Sequence, residues 1–149
     1  MAGLHDQLRE DLKEAMRARD TVRRDTIRLV EAAIKNAEIE RRGPLDEAGV
    51  IRVIQKQVKQ RQDSIEQFTQ GGRQDLADKE SAEIAVLEGY LPQQLSRDEI
   101  VAAAKETIAN VGASGPQDKG KVMGPLMGAL RGAADGRLVN EVVTQLLGG

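Results

Sequence analysis

The sequence predicts an all-α protein, and three observations carry that expectation. Apolar residues recur at intervals of three and four, as in Leu4, Leu8, Leu12, Ala15 and Met16, which is the spacing of one helix face. No run shows the period-two alternation of a half-buried strand. The apolar runs are separated by residues that start or stop helices, among them Asp46, Gly71-Gly72, Pro92 and Ser96. The pattern divides into an N-terminal unit of about four helices, residues 1–92, and a C-terminal three-helix unit, residues 93–149.

The first helix runs to about Arg19. Asp20 or Thr21 can cap the second, whose apolar line is Val22, Ile27, Val30, Ala33, Ile34 and Ala37, and Gly43-Pro44 close it. Asp46 offers an N-cap for a long third helix that buries Val50, Ile51, Ile54, Val58, Ile65 and Phe68. Arg61 falls where that series calls for an apolar residue, so it is expected to snorkel or find a partner. Gly71-Gly72 stop this helix, and Leu76, Ala77, Ile84, Leu87 and Leu91 mark a fourth that Pro92 ends.

Residues 90–96 form the joint between the units. Ser96 and Glu99 have the spacing of a capping box, in which each side chain satisfies the other's free backbone donor, opening a fifth helix through Ile100, Val101, Ala104 and Ile108. After a turn-rich loop, Pro116 suits the first turn of a sixth helix. Pro125 lies inside that helix, so a kink or restart is expected near Gly124. Gly132 to Gly136 make a second turn before a last helix carrying Leu138, Val139, Val142, Val143, Leu146 and Leu147.

Composition narrows the function classes. The chain has 149 residues, enough for one ordinary domain or two small ones, and its core is aliphatic because Phe68 and Tyr90 are the only aromatics. Without cysteine there can be no disulfide, thiolate metal site or cysteine nucleophile, and a cytoplasmic location is expected. No stretch is long and apolar enough to span a membrane, so glycine spacing is not read as a transmembrane motif. Residues 1–92 hold 16 basic and 18 acidic side chains and residues 93–149 hold 6 of each, so neither unit is a generally basic nucleic-acid binder.

Catalytic groups are hard to find. His5 is the only histidine and reads as a solvated residue of the first helical turn, without the converging partners that a metal site or triad needs. Ser64, Ser81, Ser96 and Ser114 lack a nucleophile's context. Glu80 and Glu83, like Asp75 and Asp78, read as members of a solvated face rather than an acid and base separated by burial. Gly71-Gly72-Arg73 lacks the spacing of a phosphate loop and reads as a turn. The polar run Lys56 to Gln62 reads as a solvated helix face, with a contact strip for an acidic or RNA partner as the alternative. No catalytic residue, cofactor or metal is assigned.

The most unusual segment is a ladder of Gly120, Gly124, Gly128, Gly132 and Gly136. Its surroundings contain Lys119, Lys121, Arg131 and Arg137 against Asp135 alone, a local excess of three positive charges within residues 119–137. One reading is close helix packing around Val122, Met123, Leu126, Met127 and Leu130. The other keeps that core and adds exposed helix ends whose backbone N–H groups and basic side chains meet a phosphate chain.

Asp118-Lys-Gly-Lys-Val-Met123 with Leu126-Met127, followed by Gly132-Ala-Ala-Asp-Gly-Arg-Leu-Val-Asn140, resembles the signature of the GatB/YqeY family. Residues 56–64, 72–79 and 90–96 look like its stand-alone YqeY branch, so the resemblance covers nearly the whole chain in ordered blocks. It implies a helical protein whose C-terminal domain is similar to the tail of the B subunit of the glutamine-dependent aspartyl/glutamyl-tRNA amidotransferase, a tail that helps hold tRNA. The carbon-nitrogen ligase activity with glutamine as amido-N-donor belongs to domains absent here, so no catalytic residue carries over.

The tail residues that match are Gly120, Lys121, Met123, Gly132, Asp135, Leu138, Val139 and Asn140, while Pro125 and Gly128 depart from the larger or charged residues usual between the two blocks. The expected function is an accessory tRNA-binding module that recognises folded tRNA by shape and phosphate contacts, with Lys119, Gly120, Lys121, Arg131, Gly132, Arg137 and Asn140 as its RNA-binding residues. The alternative is a protein-interaction adaptor for a tRNA-dependent amidotransferase or aminoacyl-tRNA synthetase. Three phosphate contacts would cost roughly 40-fold in affinity between about 50 and 200 mM salt.

Overall fold

The computed structural model describes residues 3–148. Among the described residues there are seven α-helices, one 3-10 turn and no strand: α1 (Leu4–Arg17), α2 (Thr21–Arg41), α3 (Glu47–Gln70), α4 (Gln74–Glu88), α5 (Arg97–Val111), the 3-10 turn Pro116–Asp118, α6 (Lys119–Leu130) and α7 (Gly136–Leu146). The all-α fold is therefore the one the periodicity predicts. By internal contact the chain divides into two compact units, Met1–Leu91 and Pro92–Gly149.

In the first unit the caps sit on short polar residues. Asp20 Oδ1 accepts from the Arg23 backbone N–H at 3.1 Å to open α2, and Asp46 Oδ1 accepts from Gly49 N–H at 2.8 Å to open α3. Each replaces a hydrogen bond that the first helical turn cannot make internally. The close of α2 differs from expectation by one residue. Arg42, not Gly43, takes the left-handed conformation (φ 62°), and the Gly43 N–H returns to the Glu38 carbonyl at 3.1 Å.

The core of this unit is Leu8 from α1, Ile27, Val30 and Ile34 from α2, Val50, Ile54 and Val58 from α3, and Leu87 with Tyr90 from the end of α4. Burying each aliphatic side chain stabilises by about 1.5–3 kcal/mol relative to exposure, before the entropy of ordering it. Met16 and Val22, which the sequence places on buried faces, are exposed instead. Both lie beside the α1–α2 reversal, where the stripe runs past the end of its partner.

The second unit opens on the capping box. Ser96 Oγ accepts from Glu99 N–H at 3.2 Å while Glu99 Oε1 accepts from Ser96 N–H at 3.0 Å. Its core joins Ile100 and Ala104 of α5, Val122, Leu126 and Leu130 of α6, Ala134, and Val139, Val142, Val143 and Leu147 of the last segment.

The expected restart near Gly124 does not occur. α6 is continuous from Lys119 to Leu130 with Pro125 inside it. Proline deletes the N–H that would reach the Lys121 carbonyl, and its ring crowds the residue before it. That residue is Gly124, which has no Cβ to meet the ring, so the helix carries the proline without ending.

Candidate nucleic-acid interface

α6 is two-sided in an unusual way. Val122, Leu126 and Leu130 are buried, whereas Gly120, Lys121, Gly124, Pro125, Gly128 and Ala129 are exposed. A Cβ built at Gly120, Gly124 or Gly128 would meet nothing within 4 Å. The close-packing reading therefore fails for these three glycines. They leave the outer face of the helix as nearly bare backbone, with Lys121 its one long side chain.

The two ends of this face are basic, and they differ. At the start, Lys119 opens α6 and Lys121 Nζ lies 3.5 Å from Asp118 Oδ1, with the lysine side chain 70% exposed. Asp118 also accepts from Ser114 N–H at 2.9 Å and from the Ser114 hydroxyl at 3.3 Å. The Ser114 backbone bond first, and then Lys121, hold this carboxyl below its ordinary range. Part of the positive charge at this end is thus answered locally, and counting Asp118 brings the excess over residues 118–137 to two.

At the other end Arg131 adopts φ 47° and caps α6 by donating its N–H to the Met127 carbonyl at 3.2 Å. Gly132 follows at φ 80°, a conformation that favours glycine. Asp135 caps α7 by accepting from the Arg137 N–H at 3.1 Å, and Asn140 is exposed one turn further on.

The seven predicted residues consequently form two groups. Lys119, Gly120 and Lys121 stand at the start of α6, and Arg131, Gly132, Arg137 and Asn140 cluster around its end and the start of α7. Ten residues of helix between Lys121 and Arg131 span about 15 Å.

Sequence reasoning missed what holds the second group in place. Gln94 Nε2 donates to the carbonyls of Pro92 (2.8 Å) and Gly132 (3.1 Å), and the Leu95 N–H donates to the Ala133 carbonyl at 2.7 Å. The segment expected to be a joint is thereby tied to the α6–α7 turn. Gln94 lies within the 90–96 motif, but nothing in its local pattern names a partner 38 positions away.

The first unit corrects two further expectations. Glu83 is not on a solvated face: it is 8% exposed, beside Arg61 at 7%. Arg61 Nε lies 3.6 Å from Glu83 Oε2 and 3.9 Å from Glu80 Oε2, and its Nη1 donates to Gln57 Oε1 at 2.8 Å. Burial is the largest influence on Glu83 and raises its pKa against the pull of Arg61. His5 is half-buried rather than fully solvated. Among the described residues there is no group of three or more metal-ligating side chains placed to hold an ion, and no helix is long and apolar enough to cross a membrane.

The chain was compared with known proteins. A family model described as "Yqey-like protein" matches residues 5–147. A protein of Kluyveromyces lactis named "Altered inheritance of mitochondria protein 41, mitochondrial" is 42% identical over 113 residues, covering 73% of this chain and 60% of the relative. Its namesake in Lachancea thermotolerans is 39% identical over 112 residues, with 73% and 60% covered. The namesake in Pyrenophora tritici-repentis is 33% identical over 148 residues, with 95% and 80% covered. The chain thus spans 60% of the length of the first two relatives. These names overturn the cytoplasmic expectation, since the relatives are designated mitochondrial. Absence of cysteine rules out disulfides and carries no information that separates the two compartments.

Proposed function

Since the chain belongs to the YqeY-like family, we propose that it is an accessory tRNA-binding module that reads folded RNA by shape, with α6 as its contact element. The observation that carries this reading is the bare outer face of α6 between two basic ends. A-form RNA presents a wide, shallow minor groove lined with 2′-hydroxyls, and side chains normally hold a helix away from such a surface. Here Gly120, Gly124 and Gly128 bring helix carbonyls within reach of hydroxyl donors. Lys119 and Lys121 at one end, and Arg131 and Arg137 at the other, meet phosphates on either side. With one aromatic side chain in each of only two positions in the whole chain, stacking on unpaired bases has little to work with.

Because Asp118 answers part of the charge, about two net phosphate contacts are expected, with roughly a tenfold loss of affinity between about 50 and 200 mM salt. The test is a titration of total tRNA against the intact protein across that range, repeated with Lys121→Glu combined with Arg131→Glu. Salt-sensitive binding that the reversal abolishes supports the reading. Equal binding by the two proteins, or none at low salt, rules it out. The relatives' designation as mitochondrial supports a mitochondrial setting for this chain.

The adaptor reading has one observation in its favour. Val22 and Leu29 on α2, seven residues apart and so on one helix face, are 41% and 52% exposed. A tRNA-dependent amidotransferase or aminoacyl-tRNA synthetase retained on the protein after nuclease treatment, and released by Leu29→Glu, would favour it.

A further inference from the structure

The corner between α1 and α2 holds a cavity of about 340 Å³ that the proposed RNA contact does not use. It is lined by Ala15, Met16, Arg19, Thr21, Arg24 and Arg28. Every ionisable side chain of that lining is a guanidinium. Arg19 takes part because the chain reverses there in a left-handed conformation (φ 56°), which carries it off the helical path of α1. Arg24 and Arg28 stand one turn apart on α2, on the same face.

These cations are incompletely answered. Arg24 Nε donates to Asp25 Oδ1 at 2.9 Å, which satisfies one edge of its fork. Arg28 Nη2 approaches the Met16 thioether at 3.9 Å, a weak acceptor. Neither Arg19 nor Arg28 has a carboxylate within 4.0 Å among the described residues. Three guanidinium groups gathered around one concavity repel one another, and an anion between them removes that cost.

We propose that this corner is a binding site for a terminal phosphate group, a phosphomonoester dianion. Guanidinium forks match the tetrahedral oxygens with paired N–H donors, and several are needed to offset two charges. The cavity opens beside the first turn of α2, whose dipole the Asp20 cap already answers, so the guanidinium groups carry the charge and Thr21 adds a hydroxyl. Buried Ala15 and the Met16 thioether supply an apolar floor for whatever carries the phosphate. The volume is within the range of small-ligand sites. A free nucleotide and the 5′ end of an RNA strand present this same group.

The experiment is calorimetric titration of the intact protein at low salt with inorganic phosphate, AMP, adenosine, and a short RNA bearing either a 5′-phosphate or a 5′-hydroxyl. The test variant is Arg19→Gln with Arg28→Gln, both exposed. The control is Arg41→Gln with Arg42→Gln, which removes the same charge from the far end of α2. A phosphate-bearing probe is expected to bind the wild type and control alike and to lose about tenfold per guanidinium removed, near 100-fold for the test variant.

Adenosine and the 5′-hydroxyl strand are expected to bind at least tenfold more weakly than their phosphorylated counterparts. Preference for AMP identifies a free nucleotide as the source, and preference for the phosphorylated strand identifies an RNA end. The Lys121→Glu, Arg131→Glu protein should bind AMP as the wild type does, which separates this site from the α6 contact. If no phosphate-bearing probe binds, or if the test variant binds as tightly as the control, the proposal is overturned. Thermal melts of both variants verify that the fold is intact.

Discussion

The Tyr90 hydroxyl donates to the Asp11 carboxylate, linking residues 79 positions apart and fastening the end of α4 to α1. Arg23 approaches the same carboxylate, Nη2 to Oδ1 at 3.4 Å, so phenol, acid and guanidinium meet at the edge of the first core. Tyr90→Phe keeps the ring and removes the donor. It is expected to cost about 1–3 kcal/mol, since the lost hydrogen bond has a charged acceptor. Urea denaturation of the two proteins measures this, and equal midpoints would show that water replaces the hydroxyl at no cost.

The same phenol predicts an alkaline limit. Burial first, and then the bond to Asp11, raise the Tyr90 pKa. An unfolded tyrosine ionises near about pH 10. Above that value the unfolded chain releases a proton that the folded chain keeps, so stability falls as pH rises past the unfolded pKa. In Tyr90→Phe this part of the decline should vanish, as a stability profile between neutral and strongly alkaline pH will show.

Arg61 and Glu83 should behave as a coupled buried pair. Arg61→Met leaves Glu83 and Glu80 without their shared cation and is expected to lose about 3 kcal/mol or more at neutral pH. The loss should shrink in acid as the carboxylates take up protons. Because the folded pKa of Glu83 is raised, its favourable contribution is full below the unfolded value and fades as pH rises through the folded one. Glu83→Gln should flatten that part of the profile. A double change, Arg61→Met with Glu83→Leu, should recover most of the loss, and a purely additive cost would argue against coupling.

The glycines of α6 give a prediction in which stability and binding move in opposite directions. A methyl group at Gly120 or Gly128 has open space around it, so either change to alanine should stabilise the helix by about 0.5–1 kcal/mol, whereas one at Gly124 would meet the Pro125 ring. On the proposed contact the same methyls would lift RNA away from the backbone, so the Gly120→Ala, Gly128→Ala protein should melt higher and hold tRNA less tightly. Gly132→Ala, at φ 80°, should instead destabilise. A more stable double variant with undiminished tRNA binding would remove α6 as the contact.

What the sequence disclosed was mostly local. Asp20, Asp46 and the Ser96–Glu99 pair act within four residues of themselves, so their caps follow from spacing. Arg61 was legible as an exception to its apolar stripe, but its partners come from another helix, and Glu83 alone resembles any surface acid. The glycine ladder was the hardest to read, because a glycine against a neighbouring helix and one facing solvent leave the same letter. Pro125 misled for a related reason: part of its usual effect falls on the residue before it, and Gly124 has no Cβ to meet the ring. Gln94 acts across 38 positions, a distance at which helical periodicity carries no signal.

Gln94 has a consequence for how this module can travel between proteins. Its bonds to Pro92 and Gly132, with that of Leu95 to Ala133, mean that the strap ahead of α5 is part of the C-terminal unit's own turn. A graft that began at the first residue of α5 would deliver three helices with the α6–α7 corner unbuckled. A graft that began at Pro92 would carry its own clasp, and the host chain would need to supply only a free end.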